Sequence, residues 1–300
     1  MKITLRQLRV FEAVVRLGSV TRAAEDLHMS QSAASTALKE FQSAVDRPAL
    51  FKRSGRTLIP TQEARAIHAL ALNTINIAKD IESPDYDGEL KGKIFIGTTQ
   101  QISEKILPEI LNDFRRANPK VQIDLFVGTT EDVILRLSNL EIEIALIEAV
   151  TRAPDTRMII WRRAAWSIFA APSHPLAKKR RITFADIQEC EWAMPPRASA
   201  TNVRLVMALE GRVEKFKVAY EINNSIALKQ IVKGGATIGM LPDYMIADDV
   251  KRKTLVHLPV MGFNVESNLF IVIRNSLNRS RLFRQFVEFL ENRAETHSIL

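Results

Sequence analysis

SVTRAAEDLHMSQSAASTALKEFQSAV, residues 19–45, decides the fold of this chain. It reads as two short helices joined by a tight turn. Ser19 caps the first helix, and Ala23, Ala24 and Leu27 share its apolar side. His28, Met29 and Ser30 supply the turn. The second helix begins at Gln31, with Ala34, Leu38, Phe41 and Val45 spaced to face a core. Its opposite face carries Gln31, Ser32, Ser35, Thr36 and Lys39, mostly short donors and acceptors near a helix N-terminus. That is the end a helix-turn-helix inserts into the major groove of duplex DNA. An ordinary helical hairpin with a solvated outer face has the same periodicity, so the flanks carry the decision.

Upstream, Thr4 to Leu17 forms a helix with Leu5, Leu8, Phe11 and Val15 on one side, and three helices can close a small core. Downstream, PALFKRSGRTLIP (48–60) reads as two short extended pieces around Ser54-Gly55, a wing. The wing sets Lys52, Arg53 and Arg56 beside the groove helix, where phosphates would lie. From Thr61 to Glu82 the pattern becomes one long helix, about 30 Å in length. Its residues Ile67, Leu70, Thr74, Ile77 and Ile81 form a heptad seam, suited to one partner helix or to packing on the chain's own domain. Residues 83–88, SPDYDG, break this helix and read as a hinge.

The segments Leu5-Arg6-Gln7-Leu8, Gly18-Ser19, Ala23-Ala24, Leu27, Gln31-Ser32-Ala33-Ala34-Ser35, Leu50-Phe51 with Arg53, and Thr61 match a family pattern in order and spacing. They resemble the N-terminal pattern of the LysR-type transcriptional regulators, most strongly over the first 65 residues or so. Asp46 stands where that family usually has Gly, and Phe41-Gln42 where it has Leu-Glu; an Asp tolerates the left-handed conformation at a helix end. The opening Ile3 to Leu8 and Ile147-Glu148 resemble the branch governing sulfur or carbon assimilation.

The resemblance implies an α+β chain. It consists of a winged helix-turn-helix over 1–60, a linker and dimerisation helix over 61–83 and a hinge over 84–91. Behind these comes a two-lobed α/β effector domain of the periplasmic-binding-protein type, with lobe I over 92–161 plus 266–300 and lobe II over 162–265. The partners implied are double-stranded promoter or operator DNA, a small-molecule effector, further copies of the chain in a homodimer or homotetramer, and RNA polymerase.

The pattern after Gly92 agrees with such an effector domain. Strand and helix alternate through 93–97, 104–117, 121–127, 131–140 and 142–147, as in a mainly parallel sheet. A second unit begins near Arg162, with strands at 167–171 and 236–241 and a helix from Ala227 to Lys233. A strand at 269–273 and a terminal helix carrying Leu282, Phe286, Phe289 and Leu290 return to the first unit, as in the family.

In open α/β sheets ligands bind beyond the carboxyl ends of the strands. Those positions hold Thr98, Thr99, Gln100 and Gln101, then Thr129 and Thr130, then Ser199, Thr201 and Asn202, then Asn224 and Ser225. Several precede predicted helices, whose N-termini favour a small anion or carboxylate. The competing reading is that these residues only cap the helices. Arg197 is the cationic candidate for pairing with an acidic ligand, while Glu148 brings negative charge toward the same cleft. Ala198 and Ala200 stand where such regulators often carry glycine in that loop.

The composition bounds the remaining classes. The 300 residues carry a formal net charge of +8, and the first 60 contain ten Lys and Arg against five Asp and Glu. That concentration favours a polyanionic partner. The single cysteine, Cys190, excludes an intrachain disulfide and suggests no metal cluster; beside Glu189 and Glu191 it reads as an inert thiol with a raised pKa. The five histidines are scattered, and no nucleophile elbow, Walker loop or dinucleotide fingerprint is present, so no catalytic residue, metal or cofactor is expected. MKITLRQLRVF lacks a signal-peptide core and no apolar run approaches about 18 residues, which places the chain in the cytoplasm, away from the membrane. The alternative readings, a cytoplasmic solute-binding protein or an enzyme using the two-lobed cleft, leave the basic N-terminal segment without a role.

Overall fold

The computed structural model describes residues 2–45, 49–55, 57–82, 89–151, 153–197, 199–275 and 280–293. Arg56, Asp46, Ala198 and residues 84–88 of the expected hinge lie outside them. The chain packs as two compact units. The first comprises Met1–Gln100, Pro108–Ile159 and Ile271–Ala294, and the second Gln101–Leu107, Ile160–Phe270 and Glu295–Leu300.

The first unit opens with α1 (Leu5–Leu17), α2 (Val20–Asp26) and α3 (Gln31–Val45). Thr4 and Gln7 form a reciprocal capping box on α1, and Gly18 ends it at φ 66°, a left-handed conformation that suits glycine. Ser19 caps α2, and His28 makes the turn to α3 at φ 52°. The buried face of α1 differs from the sequence reading. Gln7, Val10, Phe11 and Val14 are inside, Leu8 and Val15 are half-buried, and Leu5 is 45% exposed. Gln7 tolerates burial because its amide is used twice, accepting from Thr4 N at 2.8 Å and donating to Glu40 at 2.9 Å. On α3 the residues Ala34, Ala37, Leu38 and Phe41 are buried, and Val45 packs against the same cluster.

The hairpin of β1 (Phe51–Ser54) and β2 (Thr57–Pro60) pairs Ser54 with Thr57. Leu58 N donates to Gly18 O at 2.8 Å, which ties this wing to the end of α1. Then α4 (Gln62–Glu82) begins on Thr61, whose hydroxyl accepts from Ala64 N. Its seam is divided: Ile67 packs on the head's core, Leu70 and Ile77 are half-buried, Thr74 is exposed, and Ile81 is 75% exposed. The deeply buried positions are instead Ala64, Ala71, Leu72, Ile75 and the polar pair Asn73 and Asn76. Asn76 donates to Lys93 O at 3.0 Å, so part of this face is occupied by the chain's own next strand.

That strand is β3 (Gly92–Thr99), followed by α5 (Gln100–Lys105), α6 (Leu107–Ala117), β4 (Val121–Gly128), α7 (Thr130–Ser138) and β5 (Ile144–Ile147). The single helix expected over 104–117 is thus two, with Pro108 in the first turn of the second, where its missing N–H is tolerated. Strand β3 pairs in parallel with both β4 and β5.

The second unit is built on β6 (Thr156–Ala170), α8 (Phe184–Gln188), β7 (Glu191–Met194), α9 (Ala200–Leu209), β8 (Lys217–Glu221), α10 (Ser225–Lys233), β9 (Thr237–Pro242), α11 (Asp243–Lys251) and β10 (Val256–His257). Its strands run in the order β6-β9-β7-β8, with β10 on β6. The expected strand at 167–171 is the end of a 15-residue β6 that starts in the first unit. The alternation of exposed Arg157, Arg163 and Ala165 with buried Trp161, Ala164 and Trp166 is imperfect, and the sequence reading missed it. Every residue of β9 is buried. Ile168 and Met240 face a cluster with Trp192 and Leu205, while Phe169 and Leu241 face Leu228 and Met245, so both sheet faces are covered. The chain then returns through β11 (Glu266–Arg274) to α12 (Arg281–Asn292), whose Phe286 and Phe289 meet Phe114 edge-on at 4.8 and 5.1 Å.

Candidate DNA-reading helix and effector site

Burial separates α3 into two faces. Gln31, Ser32, Ser35, Thr36 and Lys39 are all exposed, opposite the buried Ala34, Leu38 and Phe41. Ser30 supports the first turn by accepting from Ala33 N at 3.2 Å and bonding the Ser32 hydroxyl at 3.1 Å, which commits part of the hydrogen-bonding capacity of Ser32. The positive end of the helix macrodipole lies beneath these donors and acceptors. Lys52 and Arg53 are exposed on the wing. Arg16, in contrast, is held by Asp26 at 2.6 Å and Glu12 at 3.1 Å, an ion-paired clamp between α1 and α2.

The effector candidates sort into caps and residues with other tasks. Thr129 is the N-cap of α7 in a box with Asp132, with Thr130 half-buried behind it. Ser199 caps α9 through Asn202 N, and Asn224 caps α10 through Ala227 N at 2.9 Å. For these three the capping reading accounts for the side chain. Thr98 and Thr99, at the carboxyl end of β3, behave differently. Both are buried, and the Thr98 hydroxyl donates to Thr99 O at 3.4 Å, but the Thr99 hydroxyl has no hydrogen-bond partner. A buried hydroxyl left unsatisfied costs about 1–3 kcal/mol, so it calls for a partner.

Within the second unit, the amide of the buried Gln101 lies 3.5 Å from the Thr201 hydroxyl and 3.4 Å from that of Ser225. It brings together the first turns of α9 and α10. Ser225 and Thr201, both expected from the sequence, share this contact. Gln100 and Glu148 are half-buried, and Arg197 is exposed on the turn before α9. The Cys190 thiol is pushed up by burial first, then by Asp186 and Glu189, and it donates to Asp186 O at 3.3 Å. Asp186, seven positions from its partner Lys179, is therefore the acid that matters most, where the sequence had suggested only the two adjacent glutamates.

Among the described residues no helix is long and apolar enough to cross a membrane. Residues 5–65 match the family model for the bacterial regulatory helix-turn-helix protein, lysR family, and residues 87–295 match the LysR substrate binding domain. The Escherichia coli (strain K12) HTH-type transcriptional regulator YeiE is 30% identical over 291 residues, 97% of this chain and 98% of that protein. The RuBisCO operon transcriptional regulator of Allochromatium vinosum is 26% identical over 298 residues, 98% of this chain and 97% of that protein. A full-length OxyR variant from Pseudomonas aeruginosa superposes with a TM-score of 0.73 at 17% identity, covering 99% of this chain and 96% of that one. These relatives are regulators, which disfavours the solute-carrier and enzyme readings. With both family models matched in order along one chain, the protein belongs to the LysR family of DNA-binding transcriptional regulators, a helix-turn-helix head joined to an effector-binding domain.

Proposed function

We propose that Gln31, Ser32, Ser35, Thr36 and Lys39 read bases in the major groove, while Lys52, Arg53 and Arg56 hold phosphates. The observation that carries this is the two-faced burial of α3, whose polar side has no packing role. In this reading residues 1–60 are the head, 61–83 the linker helix, 84–91 the hinge, and 92–161 with 266–300 and 162–265 the two effector lobes. The protein works in the cytoplasm as a homotetramer, within the branch for sulfur or carbon assimilation; the likeness to a RuBisCO operon regulator supports that placement. Arg53→Ala is expected to weaken specific and random DNA alike and to reduce the slope of log K against log salt by about 0.9, the value of one phosphate contact. An unchanged slope in a fluorescence anisotropy titration would remove Arg53 from the backbone contact.

The effector of this reading is a small anion or carboxylate at the carboxyl end of β3, with the Thr99 hydroxyl as its donor and Gln101, Thr201, Arg197 and the capped helix starts as the wider set. Binding shifts the population of two arrangements of the paired heads by the difference in effector affinity between them, about 1–3 kcal/mol. Calorimetry of the full-length protein against sulfate, thiosulfate, phosphate and small carboxylates is expected to show one saturable heat that Thr99→Ala abolishes, with DNA affinity in the absence of effector unchanged. A heat that survives in Thr99→Ala would move the site away from β3.

A further inference from the structure

The head is not the only basic part of the chain. Residues 160–270 hold sixteen Lys and Arg against ten Asp and Glu, whereas residues 61–159 hold eleven against sixteen. Much of this second excess sits in two short exposed runs, Lys178-Lys179-Arg180-Arg181 before α8 and Lys251-Arg252-Lys253 at the end of α11. The backbone brings the two runs to one segment. Ala170, at the end of β6, pairs with Val256 of β10, and Val260 bridges Ile182 in parallel, with Met261 N donating to Ile182 O at 2.8 Å. Lys253 therefore enters the stretch 256–260 at one end, and Arg181, just before Ile182, meets it at the other. At about 3.3 Å per residue, the two are separated by no more than about 20 Å along that stretch.

Few of these charges are spent inside the protein. Lys179 pairs with Asp186 at 2.5 Å. Asp248 is held by Lys105 at 2.8 Å, and Asp249 by Lys229 and Lys233 at 2.7 and 2.6 Å, so Arg252 adds only a through-space attraction to Asp248. Lys178, Arg180, Arg181, Lys251 and Lys253 form no ion pair among the described residues. The negative end of the α11 macrodipole accounts for cations in the second run, but not for Arg180 or Arg181. Four of the seven cations are lysine, and neither run holds an aromatic or large apolar side chain. Protein interfaces are depleted in Lys and use aromatic anchors, so this rim fits a phosphate backbone better than an acidic protein surface. We propose that the rim is a second, sequence-independent DNA surface, which holds the backbone of duplex outside the stretch read by the head. A duplex carries one negative charge per about 1.7 Å of axis, so about 20 Å of it offers roughly a dozen phosphates to these seven cations. The contact adds affinity and salt dependence but reads no bases.

The test is fluorescence anisotropy of the full-length protein on two duplexes that carry the same operator, selected by the parent protein from a random-sequence pool. One is about 30 bp long, and the other about 150 bp, a full persistence length of flanking DNA. The variant combines Lys178→Gln, Arg180→Gln, Arg181→Gln and Lys253→Gln, all exposed positions where the fold should be retained. On the long duplex it is expected to bind about tenfold more weakly than the parent. Its slope of log K against log salt should fall by about 2 or more, at about 0.9 per phosphate contact. On the short duplex it should match the parent. Arg180→Lys with Arg181→Lys keeps the charge and should behave as the parent on both. Binding of the short duplex reports the head alone, so failure of the rim and failure of the groove reading separate. The proposal is overturned if the variant keeps the parent's affinity and slope on the long duplex, or if it loses equally on the short one, which would trace the effect to the head. A retained slope with lost transcription by RNA polymerase would assign the rim to an acidic protein surface instead.

Discussion

Phe11→Ala is expected to destabilise the N-terminal head by about 3–5 kcal/mol and to weaken specific DNA binding while leaving the second unit folded. Phe11 is fully buried at the centre of the head. Its ring stacks on Phe41 with centroids 4.6 Å apart and meets Phe51 edge-on at 5.9 Å and His68 at 6.3 Å. It therefore joins α1, α3, the wing and the linker helix in one contact set. Truncating a buried phenylalanine costs about 3–5 kcal/mol, while a whole domain is stable by about 5–15 kcal/mol. Phe11→Leu keeps most of the volume and should cost less than about 1.5 kcal/mol. Scanning calorimetry of the two variants, with a DNA titration of each, checks this. A Phe11→Ala transition within about 1 kcal/mol of the parent would show that these rings do not hold the head together.

The second large effect is expected at Asp249 in the other unit. Lys229, only 6% exposed, donates to Asp249 at 2.7 Å and to Met245 O at 2.8 Å, and Lys233 reaches the same carboxylate at 2.6 Å. Burial opposes ionisation of Asp249, but the bonds from Lys229 and Lys233 outweigh it and hold the carboxyl at about 2, below its ordinary 3.8. Asp249→Asn leaves the Lys229 ammonium without a countercharge in an apolar setting, at a cost of about 3 kcal/mol or more. Lys233 is partly exposed and can turn to water. The combination Lys229→Met with Asp249→Leu should recover most of the loss, since it removes both buried charges. The depressed pKa also sets a pH window. The carboxylate's contribution is fully present above about pH 4 and is lost as pH falls through about 2. Urea unfolding of the single and double variants at neutral pH separates these terms, and a loss below about 1 kcal/mol for Asp249→Asn would contradict the account.

The head was legible because its signals are local. Ser19 capping, the turn at His28 and the polar face from Gln31 to Lys39 all follow from neighbours a few residues apart. Long-range polar partners were not legible. Gln7 reads as a surface residue until Glu40, 33 positions away, supplies its partner, and that bond turns the buried face of α1 away from Leu5. The linker helix reads as a seam for a partner helix or for the chain's own domain, and the bond from Asn76 to Lys93 O in β3 is not visible in that spacing. For the effector site, sequence could list hydroxyls beyond strand ends but could not sort them. Capping accounts for Thr129, Ser199 and Asn224, and only the three-dimensional surroundings reveal that the Thr99 hydroxyl is buried and unsatisfied. His68 gave no signal in the sequence, because a lone histidine on a helix is marked out only by the Phe11 and Phe95 rings that flank it.

The most direct test of the central claim is the ratio of affinities for an operator, selected by the parent protein from a random-sequence pool, and for random DNA of equal length at one salt concentration. Gln31→Ala and Ser35→Ala are expected to lose about 1–3 kcal/mol of that discrimination per base contact removed, with affinity for random DNA and its salt dependence retained. Equal losses on the operator and on random DNA would mean that the exposed face of α3 does not read sequence.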